Sequence, residues 1–286
     1  MRYLSLILAL LLLCCSQQEK LVVASKNFSE QVILGELLSQ YIEQKLKIPV
    51  ERKLNLGGTF ICHKALEAGQ IDAYVEYTGT AYTAILKREP KNDPAAVLAE
   101  TRDAYRKEFD AEWTAPLGFN NTFAMIIRGE DARRLGIKTL SEAAKYTPQW
   151  KAGFGYEFME RKDGYPGLSA TYGLKFADSP KIMDLTLTYK AVAEKQVDFI
   201  AGNSTDGLIA KLDLFVLEDD KHYFPPYQAA PVVRIETLQK FPGLEEALNQ
   251  LGGKITEQEM RQLNYAVDVE HRDVKQVVAD FLKRSF

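Results

Sequence analysis

Histidine and cysteine side chains, the commonest catalytic groups, form no recognised catalytic pattern in this chain. The three histidines are His63, His222 and His271, and none is spaced from another candidate as in a metal site or a proton relay. Cys62 precedes His63, but adjacent residues on a helix do not face each other, so these two side chains cannot act as a pair. We interpret Cys62 as a small buried apolar residue. The Gly-x-Ser-x-Gly, His-Glu-x-x-His and Walker patterns are absent from the sequence.

Two carboxylates, Asp72 and Glu76, would lie on one face of a predicted strand, with Tyr74 between them. Such a pair could serve a glycosidase. However, four strand residues span ~13 Å, which exceeds the ~10 Å upper limit for the carboxylates of an inverting enzyme. We therefore predict a protein that is not an enzyme and that has no cofactor and no metal site.

Aromatic residues recur beside polar residues in four segments, the first of which lies at the end of an expected strand. The segment 71–80 (IDAYVEYTGT) places tyrosines before a Gly-Thr turn, and similar combinations occur at 120–123 (NNTF), 155–158 (GYEF) and 224–227 (FPPY). A quaternary ammonium group has no N–H to donate, so proteins hold it against aromatic faces, each worth ~0.5–2 kcal/mol. The alternative is that these aromatic residues belong to an ordinary core, which composition alone does not distinguish.

Alternating strand and helix patterns must position these segments. Residues 21–24 form a short apolar strand, and a helix follows from about Ser29, which we expect to be its N-cap. Apolar residues at helical spacing fall on one face of that helix: Ile33, Leu37, Leu38, Tyr41 and Ile42. A second strand at residues 50–54, a Gly-Gly-Thr turn at 57–59 and a second helix complete a pattern typical of parallel βαβ units.

The pattern changes near residue 118 and again at the Phe-Pro-Pro-Tyr segment, and a fresh set of α/β elements lies between these points. We predict an α/β protein with two lobes, each a mostly parallel sheet flanked by helices. The first lobe would be discontinuous, with residues 20–117 and 223–286, and the second would be an insertion of residues 118–222. Two chain crossings would form a hinge, and a ligand would lie between the lobes.

The N-terminus has the features of an export signal. Arg2 precedes an apolar run at residues 4–13, which is too short to span a bilayer stably but is typical of a signal-peptide core. Cys14 and Cys15 follow directly. We predict a lipoprotein signal at residues 1–15 with lipidation at Cys15, because Leu13 would be a large residue before Cys14. An ordinary cleaved signal is the alternative.

The rest of the chain has the composition of a globular protein. The formal net charge is −3, from 36 basic and 39 acidic residues that are mixed along the chain, so nothing indicates nucleic acid or an anionic membrane surface as a partner. Beyond residue 20 no apolar run approaches the ~20 residues of a transmembrane helix. Cys62 is the one cysteine after the signal, so an intramolecular disulfide is impossible there.

Five segments together resemble the osmoprotectant-binding proteins of ABC importers, which are receptors for glycine betaine, carnitine and choline. These segments are 23–31 (VASKNFSEQ), 57–59 (GGT), 72–80 (DAYVEYTGT), 204–207 (STDG) and 229–234 (AAPVVR). They match in order and in approximate spacing, and they cover nearly the whole chain after the signal. The resemblance implies a two-lobed, type II periplasmic-binding-protein fold with the ligand in an aromatic cage between the lobes.

The resemblance also implies which residues form the cage. Tyr77 and Tyr227 match cage tyrosines, and Phe123 matches a position that is usually tyrosine, so it keeps the aromatic face and loses the hydroxyl group. Asn203 replaces a further cage tyrosine. Its amide offers hydrogen bonds in place of an aromatic face.

The polar end of the ligand would be bound by a second group of residues. Lys26 and Thr80 match positions used for a carboxylate or another polar group, and Arg161 is a further candidate, because a guanidinium group suits a carboxylate well. A solvated lobe surface is the alternative location for Lys26 and Arg161. Three more residues complete the predicted binding set: Asn121, Tyr156 and Thr205.

The resemblance implies partners as well as a ligand. We expect an ABC permease and its ATPase subunit on separate chains, an exported monomer that is periplasmic or on the cell surface, and membrane attachment by the lipid anchor alone. A bulkier betaine such as ergothioneine is an alternative ligand, because Asn203 would leave room for its ring. A ligand sensor, or an enzyme built on the same fold, would be a different class of protein.

Overall fold

The computed structural model describes residues 19–285, so the predicted signal at residues 1–15 and lipidation at Cys15 lie outside it. In this part of the chain the strands are β1 (Leu21–Lys26), β2 (Val50–Gly57), β3 (Ala73–Tyr77), β4 (Ala111–Trp113), β5 (Phe123–Arg128), β6 (Ala152–Phe154), β7 (Lys181–Ile182), β8 (Phe199–Asn203), β9 (Leu214–Leu217) and β10 (Ala229–Arg234). The helices are α1 (Ser29–Leu46), α2 (Thr59–Glu67), α3 (Thr78–Thr80), α4 (Pro94–Glu108), α5 (Gly129–Leu135), α6 (Leu140–Ala143), α7 (Tyr156–Glu160), α8 (Tyr165–Tyr172), α9 (Leu185–Ala193), α10 (Leu208–Lys211), α11 (Ile235–Lys240), α12 (Leu244–Asn249), α13 (Glu257–Asp268) and α14 (Val274–Ser285). A π-helical turn follows α3 at Ala81–Ile85, and a 3₁₀ turn lies at Thr147–Gln149.

The strands form two five-stranded sheets. The first has the order β2-β1-β3-β10-β4 and the second has the order β7-β6-β8-β5-β9. Each sheet is mixed, with two parallel and two antiparallel pairings, instead of mostly parallel as expected. The reason is that β10 returns from the second sheet and lies antiparallel between β3 and β4, and β5 lies antiparallel between β8 and β9. Antiparallel neighbours do not need the helical crossover that sets parallel strands.

Each sheet has its own core, and we call the two units lobe 1 and lobe 2. Lobe 1 contains the first sheet, and its core includes residues of α1, α13 and α14. Lobe 2 contains the second sheet and its flanking helices. The chain passes from lobe 1 to lobe 2 between β4 and β5 and returns between β9 and β10. Among residues 19–285, no helix has the length and apolar character needed to cross a membrane.

Helix α1 is the central helix of lobe 1. The apolar face predicted for it is confirmed, because the five residues concerned are at most 1% exposed: Ile33, Leu37, Leu38, Tyr41 and Ile42. The prediction that Ser29 is the N-cap is wrong. Phe28 occupies that position without a side-chain capping bond, and the Ser29 hydroxyl instead donates to Oδ1 of Asp268 in α13 at 2.5 Å. The Ser29 hydroxyl is therefore not available to cap α1, because it bonds to α13 instead.

Cys62 and Asp72, which the sequence offered as candidate catalytic groups, are both used within the fold of lobe 1. Cys62 is fully buried in the core of lobe 1, as predicted. Asp72 accepts hydrogen bonds from the Val22 backbone N–H at 2.7 Å and from the Thr237 hydroxyl at 2.6 Å. These contacts join the loop before β3 to β1 and α11, so the Asp72 carboxylate is used within the fold of lobe 1.

Candidate ligand-binding site between the lobes

A cavity of about 340 Å³ lies between lobe 1 and lobe 2. Its volume falls at the lower end of the ~300–1,000 Å³ typical of small-molecule sites. Nine of the ten predicted binding residues line it: Lys26, Tyr77, Thr80, Asn121, Phe123, Tyr156, Arg161, Asn203 and Tyr227. Thr205 is not among the lining residues; it is fully buried beside the cavity wall.

Strand ends bring these side chains together. Lys26 is the last residue of β1 and Tyr77 is the last residue of β3, two neighbouring parallel strands of the first sheet. In the second sheet Phe123 begins β5 and Asn203 ends β8, and the two residues are paired across the antiparallel ladder. Open α/β sheets commonly bind ligands outside the carboxyl ends of their strands. The topology of both sheets therefore directs these residues toward the same cavity.

Aromatic rings form much of the wall. Phe123 lies 5.8 Å from Tyr227 and 4.9 Å from Phe158, measured between ring centroids, and both pairs are T-shaped. Tyr77 stacks on Phe28 with a centroid distance of 6.5 Å. All five rings line the cavity. Phe28 and Phe158 were not predicted as binding residues, although each lies in a segment that the sequence singles out.

The mouth of the cavity is also apolar. Tyr156 is 66% exposed, and across the opening Phe60 and Ile61 of α2 are 39% and 56% exposed. All three line the cavity. Tyr156 is therefore a residue of the entrance, whereas Tyr77 and Tyr227 are buried in the interior.

Lys26 lies inside the cleft and not on the lobe surface, since it is 3% exposed. Its ammonium group forms an ion pair with Glu76 and donates to Oγ1 of Thr59 at 3.1 Å. It also lies 4.9 Å from the centre of the Tyr77 ring. An ammonium group has three N–H donors, so one remains beyond these two contacts.

Arg161 is a buried cation of lobe 2 that reaches lobe 1. Its Nε and Nη2 atoms donate to the two carboxylate oxygens of Asp163 at 2.8 and 2.5 Å, and Nη2 also donates to Oγ1 of Thr80 at 3.3 Å. The guanidinium carbon lies 5.1 Å from the centre of the Phe123 ring. Within residues 19–285, Nη1 makes no hydrogen bond.

Asp163 is the buried partner of Arg161 and is fully enclosed. Its Oδ2 atom accepts a second bond, from the Tyr227 hydroxyl, at 2.6 Å. Burial alone would raise the pKa of Asp163, but the charge and hydrogen bonds of Arg161 hold that pKa below its ordinary value. Burial and the nearby Asp163 charge raise the pKa of Tyr227 well above the usual range, so its hydroxyl stays protonated and donates.

Glu30 is a buried carboxylate behind the cavity wall, 2% exposed, and it is not among the residues predicted from the sequence. Four donors surround it: the Tyr77 hydroxyl at 2.6 Å, Asn121 Nδ2 at 2.7 Å, the Thr205 hydroxyl at 2.5 Å and Asn264 Nδ2 at 3.0 Å. Burial raises the pKa of Glu30, and the four hydrogen bonds oppose this rise. The predicted binding residue Thr205 thus contacts Glu30 instead of lining the cavity.

Asn203 is held by a second carboxylate, that of the half-buried residue Asp206. Oδ2 of Asp206 accepts a hydrogen bond from the Tyr189 hydroxyl, and the backbone N–H and Nδ2 of Asn203 lie 3.3 and 3.4 Å from it. Desolvation, together with the charges of Glu30 and Asp268, raises the pKa of Asp206 to about 7. Because the carboxylate attracts the amide nitrogen, the orientation of Asn203 is set from outside the cavity.

Glu157 of lobe 2 joins the two lobes at the start of α2. Its Oε1 atom accepts a hydrogen bond from the Thr59 backbone N–H at 2.5 Å. A Cβ at position 58 would lie 2.2 Å from the same oxygen, so a larger residue there would displace the Glu157 carboxylate. Together with the contacts of Arg161 and Asp163 to lobe 1, this bond holds the lobes in contact across the cavity.

The two lobes, the cavity enclosed between them, the aromatic walls and the paired buried charges define a receptor for a small solute. Such a protein captures its ligand between lobes that close on each other. The residues that line the cavity are suited to binding and orienting a molecule that has an apolar cationic group and a polar end.

Comparison with known proteins identifies the family. Residues 19–284 match the model of the substrate-binding domain of ABC-type glycine betaine transport systems, and the chain belongs to this family. A Helicobacter pylori (strain G27) protein named "Ergothioneine transport permease/ergothioneine binding protein EgtU" is 40% identical over 92% of this chain. The chain spans 47% of that relative's length. The "Carnitine transport binding protein OpuCC" of Listeria monocytogenes is 34% identical, over 90% of this chain and 84% of the relative.

A solved structure shows the same architecture. The structure titled "Crystal structure of glycine betaine/carnitine/choline ABC transporter" has a TM-score of 0.76 and 35% identity, and the match covers 93% of this chain and 98% of that chain. The predicted family and the two-lobed periplasmic-binding-protein fold are thereby confirmed. The chain is therefore a member of the substrate-binding domain family of ABC-type glycine betaine transport systems.

Proposed function

We propose that this protein captures a quaternary-ammonium osmoprotectant, namely glycine betaine, choline or carnitine, in the cavity between the lobes. The observation that carries this proposal is the set of aromatic rings around one cavity, in which Phe123 and Tyr227 make an edge-to-face contact with 5.8 Å between their ring centroids. A quaternary ammonium group gains ~0.5–2 kcal/mol from each aromatic face and needs no hydrogen-bond acceptor.

The cavity also supports the binding of a carboxylate. One N–H of Lys26 and the Nη1 group of Arg161 make no hydrogen bond within residues 19–285. These donors come from lobe 1 and lobe 2, respectively. A zwitterion that contacts both would gain affinity only when the lobes are closed, and this difference shifts the population toward the closed form.

A bulkier betaine, with ergothioneine as the leading case, is the second candidate ligand. Asn203 lines the cavity at a position where the resemblance implies tyrosine, and a smaller side chain there leaves room for a ring. The amide would also give a polar contact. The name of the Helicobacter pylori relative, 40% identical to this chain, supports keeping this candidate.

The proposal also covers the cellular location, the partners and the lobe boundaries of the protein. The protein would be exported, carry a lipid at Cys15 and act as a monomer without catalytic activity. It would deliver its ligand to a permease driven by an ATPase on another chain. We assign residues 20–117 and 223–286 to lobe 1 and residues 118–222 to lobe 2, so that both chain crossings form the hinge.

A ligand screen tests the proposal. The mature protein, Ser16 onward, is heated with choline, glycine betaine, carnitine, proline betaine or ergothioneine, because a ligand that binds only the folded state raises its melting temperature. Calorimetric titration then gives each dissociation constant. A shift with a small betaine supports the first candidate, and a shift with ergothioneine alone supports the second. The proposal is wrong if no quaternary-ammonium compound binds.

A transport assay separates delivery from sensing. Uptake of the bound ligand is measured in vesicles that contain the permease and ATPase, with and without this protein. A receptor increases uptake, whereas a sensor that signals without delivery leaves uptake unchanged.

A further inference from the structure

We infer that Glu30 is a positioning residue whose buried carboxylate fixes the cage tyrosine Tyr77 and at the same time holds lobe 2 closed through Thr205. This inference deepens the proposed function and depends on Tyr77 being a wall of the binding site. The carboxylate is placed between the lobes and does not line the cavity.

The first argument is the origin of the four donors. Tyr77 ends β3 in lobe 1, and Asn264 belongs to α13, which packs in the core of lobe 1. Asn121 lies on the segment that crosses into lobe 2, and Thr205 follows β8 in lobe 2. One carboxylate therefore collects hydrogen bonds from both lobes and from the connection between them.

The second argument is that the contact to lobe 2 is doubled. Asn264 donates to Glu30 Oε2 at 3.0 Å and to the backbone carbonyl of Thr205 at 2.9 Å. The Thr205 hydroxyl donates to the same Oε2 atom at 2.5 Å. Opening the lobes would separate Thr205 from both partners and leave a carboxylate of lobe 1 with fewer donors, which is costly for a buried charged group.

The third argument concerns the ring of Tyr77. Its hydroxyl donates to Oε1 of Glu30 at 2.6 Å, and burial together with the Glu30 charge raises the pKa of Tyr77 well above its usual range, so the hydroxyl remains a donor. The bond fixes the far end of a side chain whose ring lines the cavity. The position of this aromatic face thus depends on the same carboxylate that binds Thr205.

The main test compares two buried carboxylates on one helix. Glu30→Gln places an NH₂ group and a single acceptor oxygen among four donors, whereas Glu36→Gln is the matched control. Glu36 is 1% exposed and bonds Gln40 and Arg52, each at 2.9 Å, away from the cavity. We expect Glu30→Gln to raise the dissociation constant of the tightest-binding compound of the screen at least tenfold, mainly by faster dissociation. Glu36→Gln should lower the melting temperature and leave the dissociation constant unchanged.

Two milder variants separate the two roles and serve if Glu30→Gln does not fold. Thr205→Val removes the hydroxyl contact to Glu30 and keeps the bond from Asn264 to the backbone carbonyl of residue 205. The ligand should therefore dissociate severalfold faster, as measured by stopped-flow displacement. Tyr77→Phe removes only the hydroxyl of the cage residue, and its effect should combine with that of Glu30→Gln less than additively. Unchanged dissociation in Thr205→Val, or equal effects of the Glu30 and Glu36 variants on affinity, would overturn the inference.

A separate variant shows whether the cage itself has failed. Phe123→Leu removes an aromatic wall without touching Glu30. If Phe123→Leu leaves affinity unchanged, the proposed aromatic site is wrong. If Phe123→Leu weakens binding and the Glu30 and Thr205 variants do not, only the positioning role of Glu30 is wrong.

Discussion

Replacing Phe123 by leucine should weaken ligand binding about five- to thirtyfold. Phe123 is half-buried at the start of β5, and its ring lies among Phe158, Phe224 and Tyr227. The Arg161 guanidinium lies 5.1 Å from the ring centre, so one face is already occupied by a cation. We therefore assign the ligand the remaining face, worth about 1–2 kcal/mol at a desolvated site. Because 1.4 kcal/mol corresponds to a tenfold change in affinity, this range gives the stated factor.

The assay is calorimetric titration of three variants. Phe123→Tyr keeps the aromatic face and should stay within about threefold of the wild type, because the ring quadrupole is retained. Phe215→Leu is the control, since Phe215 is half-buried on the neighbouring strand β9 and does not line the cavity. The reasoning is refuted if Phe123→Leu binds as tightly as Phe123→Tyr, or if Phe215→Leu weakens binding to the same extent.

Three further predictions concern the specificity position Asn203, the acid Asp206 and the contact between the lobes at Gly58 and Glu157. Asn203→Tyr should shift the preference from large toward small quaternary amines, and an unchanged ranking in the ligand screen would argue against a role in specificity. The contribution of Asp206 to the free energy of unfolding should fall as pH rises from about 4 to about 7, because Asp206, with a native pKa of about 7, keeps a proton that the unfolded chain has lost. Asp206→Asn should remove this part of the pH dependence, as measured by urea denaturation at several pH values. Gly58→Ala should weaken ligand binding about tenfold, because the new Cβ would displace the Glu157 carboxylate from the Thr59 N–H. The double variant with Glu157→Ala should show no further loss of affinity in calorimetric titration.

Features that depend on local pattern could be predicted from the sequence. The helical spacing of apolar residues predicted the buried face of α1, and the alternating run before the Gly-Thr turn predicted the strand that ends at Tyr77. The cavity residues followed from resemblance and not from pattern. Composition alone did not separate cage aromatics from core aromatics, because both are apolar residues at strand ends.

Features that depend on strand order could not be predicted. Lys26 and Glu76 form an ion pair because β1 lies directly beside β3. Val23 is opposite Ala73, and since the strands are parallel, the residues three positions further along, Lys26 and Glu76, are neighbours as well. The sequence does not state which strands are neighbours. Without that information the sequence pairs Glu76 only with Asp72, and it does not decide whether Lys26 lies in the cleft or on the lobe surface.

Glu30 was missed for a related reason. Its partners lie 47, 91, 175 and 234 residues away along the chain. No local signal marks such a residue, because a glutamate in the first turn of a helix is ordinary and favourable near the N-terminus. Its importance appears only when both lobes and the C-terminal helices are assembled around it.

The free N–H donors of the cavity favour a ligand that carries a carboxylate. Lys26 is paired with Glu76 inside lobe 1, and Arg161 is paired with Asp163 inside lobe 2. Each cation is therefore already neutralised before a ligand enters, but both keep N–H donors that choline, which has no carboxylate, would leave without an acceptor. A zwitterion brings its own compensating carboxylate, for which Lys26 and Arg161 retain donors. We therefore expect betaines to stabilise the protein more than choline does, and the same screen that identifies the ligand measures this difference.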